Sequence, residues 1–182
     1  MINPDHDDVD FRISRTFNAP RALVFRTMTE TGHLQHWWGP KGCEIEVASN
    51  DVRPGGIFHY CMRFPGGFAM WGRFVYREIV ALERLVYVNG FADADGNAAP
   101  NPMSPDWPME MLITITLAEE GGKTVLNLVS RPINATEAER ATFKAGHASM
   151  QGGFGGMYDV YEEYLATLVA QDAQHGSPPA RG

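Results

Sequence analysis

The sequence predicts an α+β domain in which a curved antiparallel sheet of six to seven strands wraps one long C-terminal helix. Three observations carry this expectation. Apolar residues alternate at a period of two through much of residues 9–131, in segments cut by turns rich in Gly, Pro and Asn. Helical patterning enters that region once, straight after the first strand. From Glu137 to about Val169 the period becomes helical: Phe143, His147, Met150, Phe154, Met157, Tyr161, Tyr164 and Leu168 project onto one arc, opposite Asp159, Glu162 and Glu163. A sheet with one apolar face must bury it, and this helix is the only element large enough. The sheet must curl around it, and side chains from the two are not expected to fill the space between. That geometry makes a cavity.

The elements follow in order. Residues 1–8 read as a polar tail. In Val9–Phe17, Val9, Phe11, Ile13 and Phe17 alternate with polar residues, as in a half-buried strand. Asn18-Ala19-Pro20 ends it, and Pro20 suits the start of a helix over about 20–29 carrying Leu23, Val24, Phe25 and Met28. Thr31–Trp37 is a second short helix, stopped by Gly39-Pro40. Strands follow at Cys43–Ser49, Ile57–Phe64, Phe68–Val80 and Leu85–Phe91, with turns at Arg53-Pro54-Gly55-Gly56, Pro65-Gly66-Gly67 and Glu83-Arg84. Residues 92–108, nearly without apolar side chains apart from Met103 and Trp107, read as a long structureless loop, uncommon in a compact domain unless disordered or functional. Strands Met109–Leu117 and Thr124–Arg131 precede the helical region. Within that region Gly152-Gly153-Phe154-Gly155-Gly156 costs up to ~1 kcal/mol per glycine relative to alanine. Either the helix starts there, or another backbone approaches closely. Residues 9–171 form the expected domain, and 172–182 a second tail.

Composition excludes several function classes. The chain has 182 residues, enough for one domain with a real core, and a formal net charge of −7. An acidic chain without a Lys/Arg cluster is a poor nucleic-acid binder. No apolar run approaches ~20 residues, so no membrane span is expected. The start, Met1-Ile2-Asn3-Pro4-Asp5-His6-Asp7-Asp8, has no signal-peptide pattern. Cys43 and Cys61 form neither a redox motif nor a zinc set, which points to a reducing cytoplasm.

The candidate site is the inner surface of this cavity. Its expected lining is Phe58, Tyr60, Met62, Phe74, Tyr76 and Met111 from the sheet, facing His147, Met150, Phe154, Met157 and Tyr161 from the helix. Adjacent Trp37 and Trp38 cannot both point one way, so one packs inward and the other lines an opening. Trp107, at the end of the long loop, is placed to cap the cavity. Trp71 is out of phase with its strand's inward face. His147 is the group titrating near neutrality that the projection turns toward the cavity, and is the first candidate for an acid–base catalyst. His33 and His36 share a helix face, but a zinc site needs a third ligand and His59 faces away, so no metal is expected. The glycine run lacks the Gly-Lys-Ser/Thr of a phosphate loop. No cofactor is implied.

One chain of motifs goes further. Arg15-Thr16-Phe17-Asn18-Ala19-Pro20-Arg21-Ala22-Leu23-Val24-Phe25, His33-Leu34-Gln35-His36-Trp37-Trp38-Gly39-Pro40, Asp51-Val52-Arg53-Pro54-Gly55-Gly56, Gly72-Arg73-Phe74-Val75-Tyr76 and Glu83-Arg84-Leu85-Val86-Tyr87 occur in this order before the final helix. Together they resemble the Hsp-90 ATPase activator homologue-like family of the START/Bet v 1-like (SRPBCC) superfamily, over about residues 9–169. The resemblance implies a helix-grip fold. It also implies a function among lipid or hormone carriage, cyclase or aromatase chemistry, and chaperone activation. The chain departs from the pattern at 92–108 and 132–156, both expected at the cavity mouth. The chaperone-binding N-terminal domain of the eukaryotic activators has no counterpart here. The leading expectation is therefore a cytoplasmic binder of a small apolar or aromatic molecule. A cyclase- or hydrolase-like enzyme using the same cavity and a chaperone-interacting module are the alternatives, and a homodimer is compatible with the sequence.

Overall fold

The computed structural model describes residues 8–175, and most of the two tails drawn from the sequence lies outside them. The elements are β1 (Phe11–Phe17), α1 (Arg21–Thr29), α2 (Thr31–Trp37), β2 (Glu44–Asn50), β3 (Ile57–Arg63), β4 (Ala69–Val80), β5 (Arg84–Ala92), β6 (Ala98–Ala99), β7 (Glu110–Glu120), β8 (Lys123–Ile133), α3 (Glu137–Ala145) and α4 (His147–His175). The strands form one antiparallel sheet in the order β1-β8-β7-β5-β4-β3-β2, with β6 added to β5. This is the helix-grip architecture: α4 lies along the concave face, and α1 and α2 close one end.

Each strand's alternation becomes a choice of face. On β7, Met111, Ile113, Ile115 and Leu117 are buried on the concave side, and on β8 so are Leu126, Leu128 and Ser130. The two strands pair Ile113 with Ser130 and Ile115 with Leu128, so the buried residues of adjacent strands meet. The Arg-Pro-Gly-Gly turn has a specific cause. The Gly55 N–H donates to the Tyr76 carbonyl at 2.8 Å, and the Tyr76 N–H donates to the Gly56 carbonyl at 2.9 Å, so the turn itself pairs with β4. Gly55 has φ +83°, and a Cβ at Gly56 would lie 1.9 Å from the Asp51 carbonyl oxygen.

Two expectations need correction. Residues 92–108 are not structureless. Asp93–Asn97 make a tight turn in which the Asp93 carboxylate accepts from the Asp95 and Asn97 N–H groups, and Ala98–Ala99 pair back onto Phe91 and Ala92. This hairpin packs on the convex face. His59 Nε2 donates to the Asp93 carbonyl at 3.0 Å, Arg73 donates to the Gly96 carbonyl at 2.8 Å, and His59 stacks on Trp71 with ring centroids 4.7 Å apart. The partners that order the segment lie on β3 and β4, so its own composition could not reveal them.

The second correction concerns the glycine run. The helical region breaks at Gly146, not at 152–156. A Cβ at Gly146 would lie 2.8 Å from Cζ3 of Trp107, so the break sits where the long connection docks. Thr136 and Glu139 form a reciprocal capping box at the start of α3. The four glycines of the run lie inside α4, and a Cβ at any of them meets nothing within 4 Å. Neither a helix start nor a close backbone approach explains them. The helix carries their entropic cost without a packing return, and it continues to His175, past the boundary drawn at 171.

One prediction follows from that cost. Gly152 is exposed and its surroundings are open, so Gly152→Ala is expected to stabilise the protein by about 0.5–1 kcal/mol in urea denaturation. A loss of stability would show that the space around Gly152 is not open.

Candidate functional site

The gap between α4 and the sheet is open and divides into two chambers. The smaller, about 220 Å³, lies between Trp38, Gly39 and Pro40 after α2, Tyr60 and Met62 on β3, Tyr87 and Asn89 on β5, Ile113 on β7, and Met150, Gly153, Phe154 and Met157 on α4. The larger, about 530 Å³, is bounded by Phe91, Asn101, Met103, Ser104, Trp107, Met111, Ser130, Thr142, Gly146 and Ser149. Asn89, Ile113, Met150 and Phe154 line both chambers and form the partition. On the helix side the lining recurs at 146, 149, 150, 153, 154 and 157, one helical face on which Gly146, Ser149 and Gly153 alternate with Met150, Phe154 and Met157. The small residues leave the space that the large ones border.

The residues singled out from sequence divide between the cavity and its supports. Trp38, Tyr60, Met62, Trp107, Met111, Met150, Phe154 and Met157 line one chamber or both. Trp37 does not. It is buried flat against Tyr161, with ring centroids 3.8 Å apart, and its Nε1–H donates to the Thr27 carbonyl at 3.0 Å. Tyr161 in turn donates to the Val24 carbonyl at 2.9 Å, so it ties α4 to α1 instead of facing a ligand. Phe58, Phe74 and Tyr76 are buried in the core, and Trp38 sets its ring edge-on to Phe58 and Phe74. They support the wall that Trp38 presents.

His147 lines neither chamber. Its Nε2 lies 3.1 Å from the Val9 carbonyl oxygen, and its ring is held between Phe11 and Phe143. A hydrogen bond to a first-strand carbonyl turns the imidazole to the edge of the helical arc, which a projection alone cannot show. His33 and His36 both engage Tyr164, one through a 2.7 Å contact to its hydroxyl and the other by stacking. Among the described residues, no group of three His, Cys, Asp or Glu side chains is placed to hold a metal ion.

The sequence reading overlooked Tyr87, Asn89, Ile113, Ser130 and Gly153. Period two along β5 puts Leu85, Tyr87, Asn89 and Phe91 on one face, so a polar residue in an apolar row was the available signal for Asn89. The same signal marks Ser130 on β8.

The site is electrostatically quiet. No charged side chain lines either chamber among the described residues. Burial raises the pKa of Tyr60, while Trp38 and Asn89, the polar partners of its hydroxyl, oppose the rise. Burial drives Tyr87 well above the usual tyrosine range, and neighbouring Tyr158, Tyr60 and Tyr76 push the same way. Both phenols therefore stay neutral and offer hydrogen bonds, not charge. Burial also raises the Cys43 thiol beside Gly39, so it does not present a thiolate. The arrangement suits holding an uncharged molecule.

Gly72 creates the seat for Tyr60. The two are cross-strand partners, and a Cβ at Gly72 would lie 2.6 Å from Cζ and the hydroxyl oxygen of Tyr60. Gly72→Ala is expected to push the tyrosine into the smaller chamber at a cost of about 1–3 kcal/mol, read by chemical denaturation. An unchanged denaturation midpoint would show that the ring is not fixed there.

Comparison with known proteins agrees with this geometry. A protein from Arthrobacter aurescens, solved by solution NMR, superposes with a TM-score of 0.74 at 23% identity, covering 92% of this chain and 91% of its own. A crystal structure from Nitrosomonas europaea gives 0.69 at 24% identity over 91% and 99%. One from Rhodobacter sphaeroides gives 0.70 at 18% identity over 88% and 95%. These likenesses establish the fold. No curated protein matches the sequence significantly. The family model for activator of Hsp90 ATPase homolog 1-like protein matches residues 18–166, and the chain belongs to that family.

Proposed function

We propose that this protein binds one small, predominantly apolar or aromatic molecule in the two-chambered gap between the sheet and α4. The observation that carries the reading is the lining itself: open volume walled by Trp, Tyr, Phe, Met and Ile, free of charge, with a few neutral hydrogen-bonding groups. The larger chamber alone, at about 530 Å³, falls in the size range of small-molecule sites. Apolar burial would supply most of the affinity, at ~25 cal/mol per Å². Tyr60 and Asn89 would orient the ligand. Neutral phenols and a histidine held outside both chambers favour binding over proton transfer, and so favour a carrier or sensor over a cyclase or hydrolase. The unpaired cysteines, Cys61 buried and Cys43 half-buried, support a reducing cytoplasm as its location.

Trp38 and Trp107 give each chamber its own fluorescent side chain. Native mass spectrometry of the protein purified from its host should reveal one co-purified small molecule. The neutral apolar probe N-phenyl-1-naphthylamine should bind saturably to the ligand-free protein and perturb tryptophan emission. Gly153→Leu, which projects into open space in the smaller chamber, should keep the fold and weaken probe binding at least about tenfold. Absence of any adduct together with absence of probe binding would refute the reading.

A further inference from the structure

Ser130 stands out among the polar groups of the gap. It is 1% exposed, it lies on β8 in the row of Leu126 and Leu128, and it borders the larger chamber. Its hydroxyl has no hydrogen-bond partner among the described residues. A buried hydroxyl without a partner is a standing cost, which a bound molecule can remove. Asn89 stands at the partition, where both chambers meet. Ser130 pairs with Ile113 and Asn89 with Met111, so the two polar residues flank β7 two positions out of register. Strand spacing and rise put them roughly 12 Å apart across the concave face.

Resting on the cavity reading above, we infer that the ligand is an uncharged, elongated aromatic molecule with a neutral hydrogen-bonding group at each end, one end meeting Ser130 and the other meeting Asn89 and Tyr60. The apolar members of the partition, Ile113, Met150 and Phe154, border its middle, between the Ser130 end and the Asn89 end. Carboxylates and phosphates are selected against. Neither chamber has a cation to pair with them among the described residues, and an ionised group moved there loses its hydration uncompensated. The polar walls of the larger chamber supply only hydroxyls and amides, from Ser104, Asn101, Ser149 and Thr142.

Three probes of one shape test this by isothermal titration calorimetry at pH 7: biphenyl, 4,4′-dihydroxybiphenyl and biphenyl-4,4′-dicarboxylate. The phenols are neutral at this pH. The diol is expected to bind about tenfold more tightly than biphenyl, from two net neutral hydrogen bonds, and the dicarboxylate more weakly than either. Ser130→Ala should erase roughly three- to tenfold of the diol's advantage while leaving biphenyl affinity unchanged. It should also raise the thermal midpoint of the ligand-free protein, because it removes the unpartnered hydroxyl. Biphenyl binding to the variant reports an intact cavity. A dicarboxylate that binds as tightly as the diol, or a diol-to-biphenyl ratio unchanged in Ser130→Ala, overturns the proposal and leaves the cavity reading standing. Failure of all three probes to bind overturns both.

Discussion

One geometric constraint governs this protein: a single helix must cover a sheet far wider than itself. Seven strands side by side span roughly 30 Å, while a helix with its side chains is about 10–12 Å across. Curling the sheet narrows the mismatch without closing it. At one end α1 and α2 fill the remainder, tied to α4 by Trp37 stacked on Tyr161 and by the Tyr161 hydroxyl on the Val24 carbonyl. At the other end α3 and Trp107 form a partial wall. Between them the space stays open, and α4 carries Ser149 and Gly153 there instead of larger residues. The cavity is what remains when a wide curved sheet is covered at both ends and spanned thinly in the middle.

The charges are arranged around this gap, not within it. Asp159 and Glu162 on α4 are not simply solvent-facing, since both bind Arg15 of β1 and fasten the helix to the edge strand. Asp10 is gripped by two nitrogens of Arg131 on the neighbouring strand, at 2.7 and 2.6 Å. The part-exposed Arg15 pairs add little energy singly, whereas the Asp10 carboxylate is buried and Arg131 keeps it from standing there as an uncompensated charge. Inside, buried tyrosines hold their protons, and the polarity of the gap rests on hydroxyl, indole and amide groups.

Much of the fold was legible because burial repeats at a fixed period. The alternation of Met111, Ile113, Ile115 and Leu117, or the arc from Phe143 to Leu168, needs no knowledge of the partner. Features set by a distant element were not legible. The hairpin at 93–99 depends on His59, Trp71 and Arg73, tens of residues earlier. The need for glycine at 146 depends on the Trp107 ring, and the turn of His147 on a carbonyl at Val9. Within the site, periodicity sorted residues onto the inner face but could not separate those that fill it, such as Phe58 and Phe74, from those that border open space, such as Tyr60 and Phe154. That distinction depends on depth along the curved sheet. Asn89 and Ser130 were overlooked because a polar residue in an apolar row reads as an exception until its surroundings are known.

This interior is open by construction. A high-resolution crystal structure of the ligand-free protein is the decisive measurement. Trp38, Met150 and Phe154 are expected to stand apart around the two volumes, with Asn89 facing solvent or a retained molecule. A continuous core in which those three side chains close against Tyr60, Tyr87 and Ile113 would contradict it.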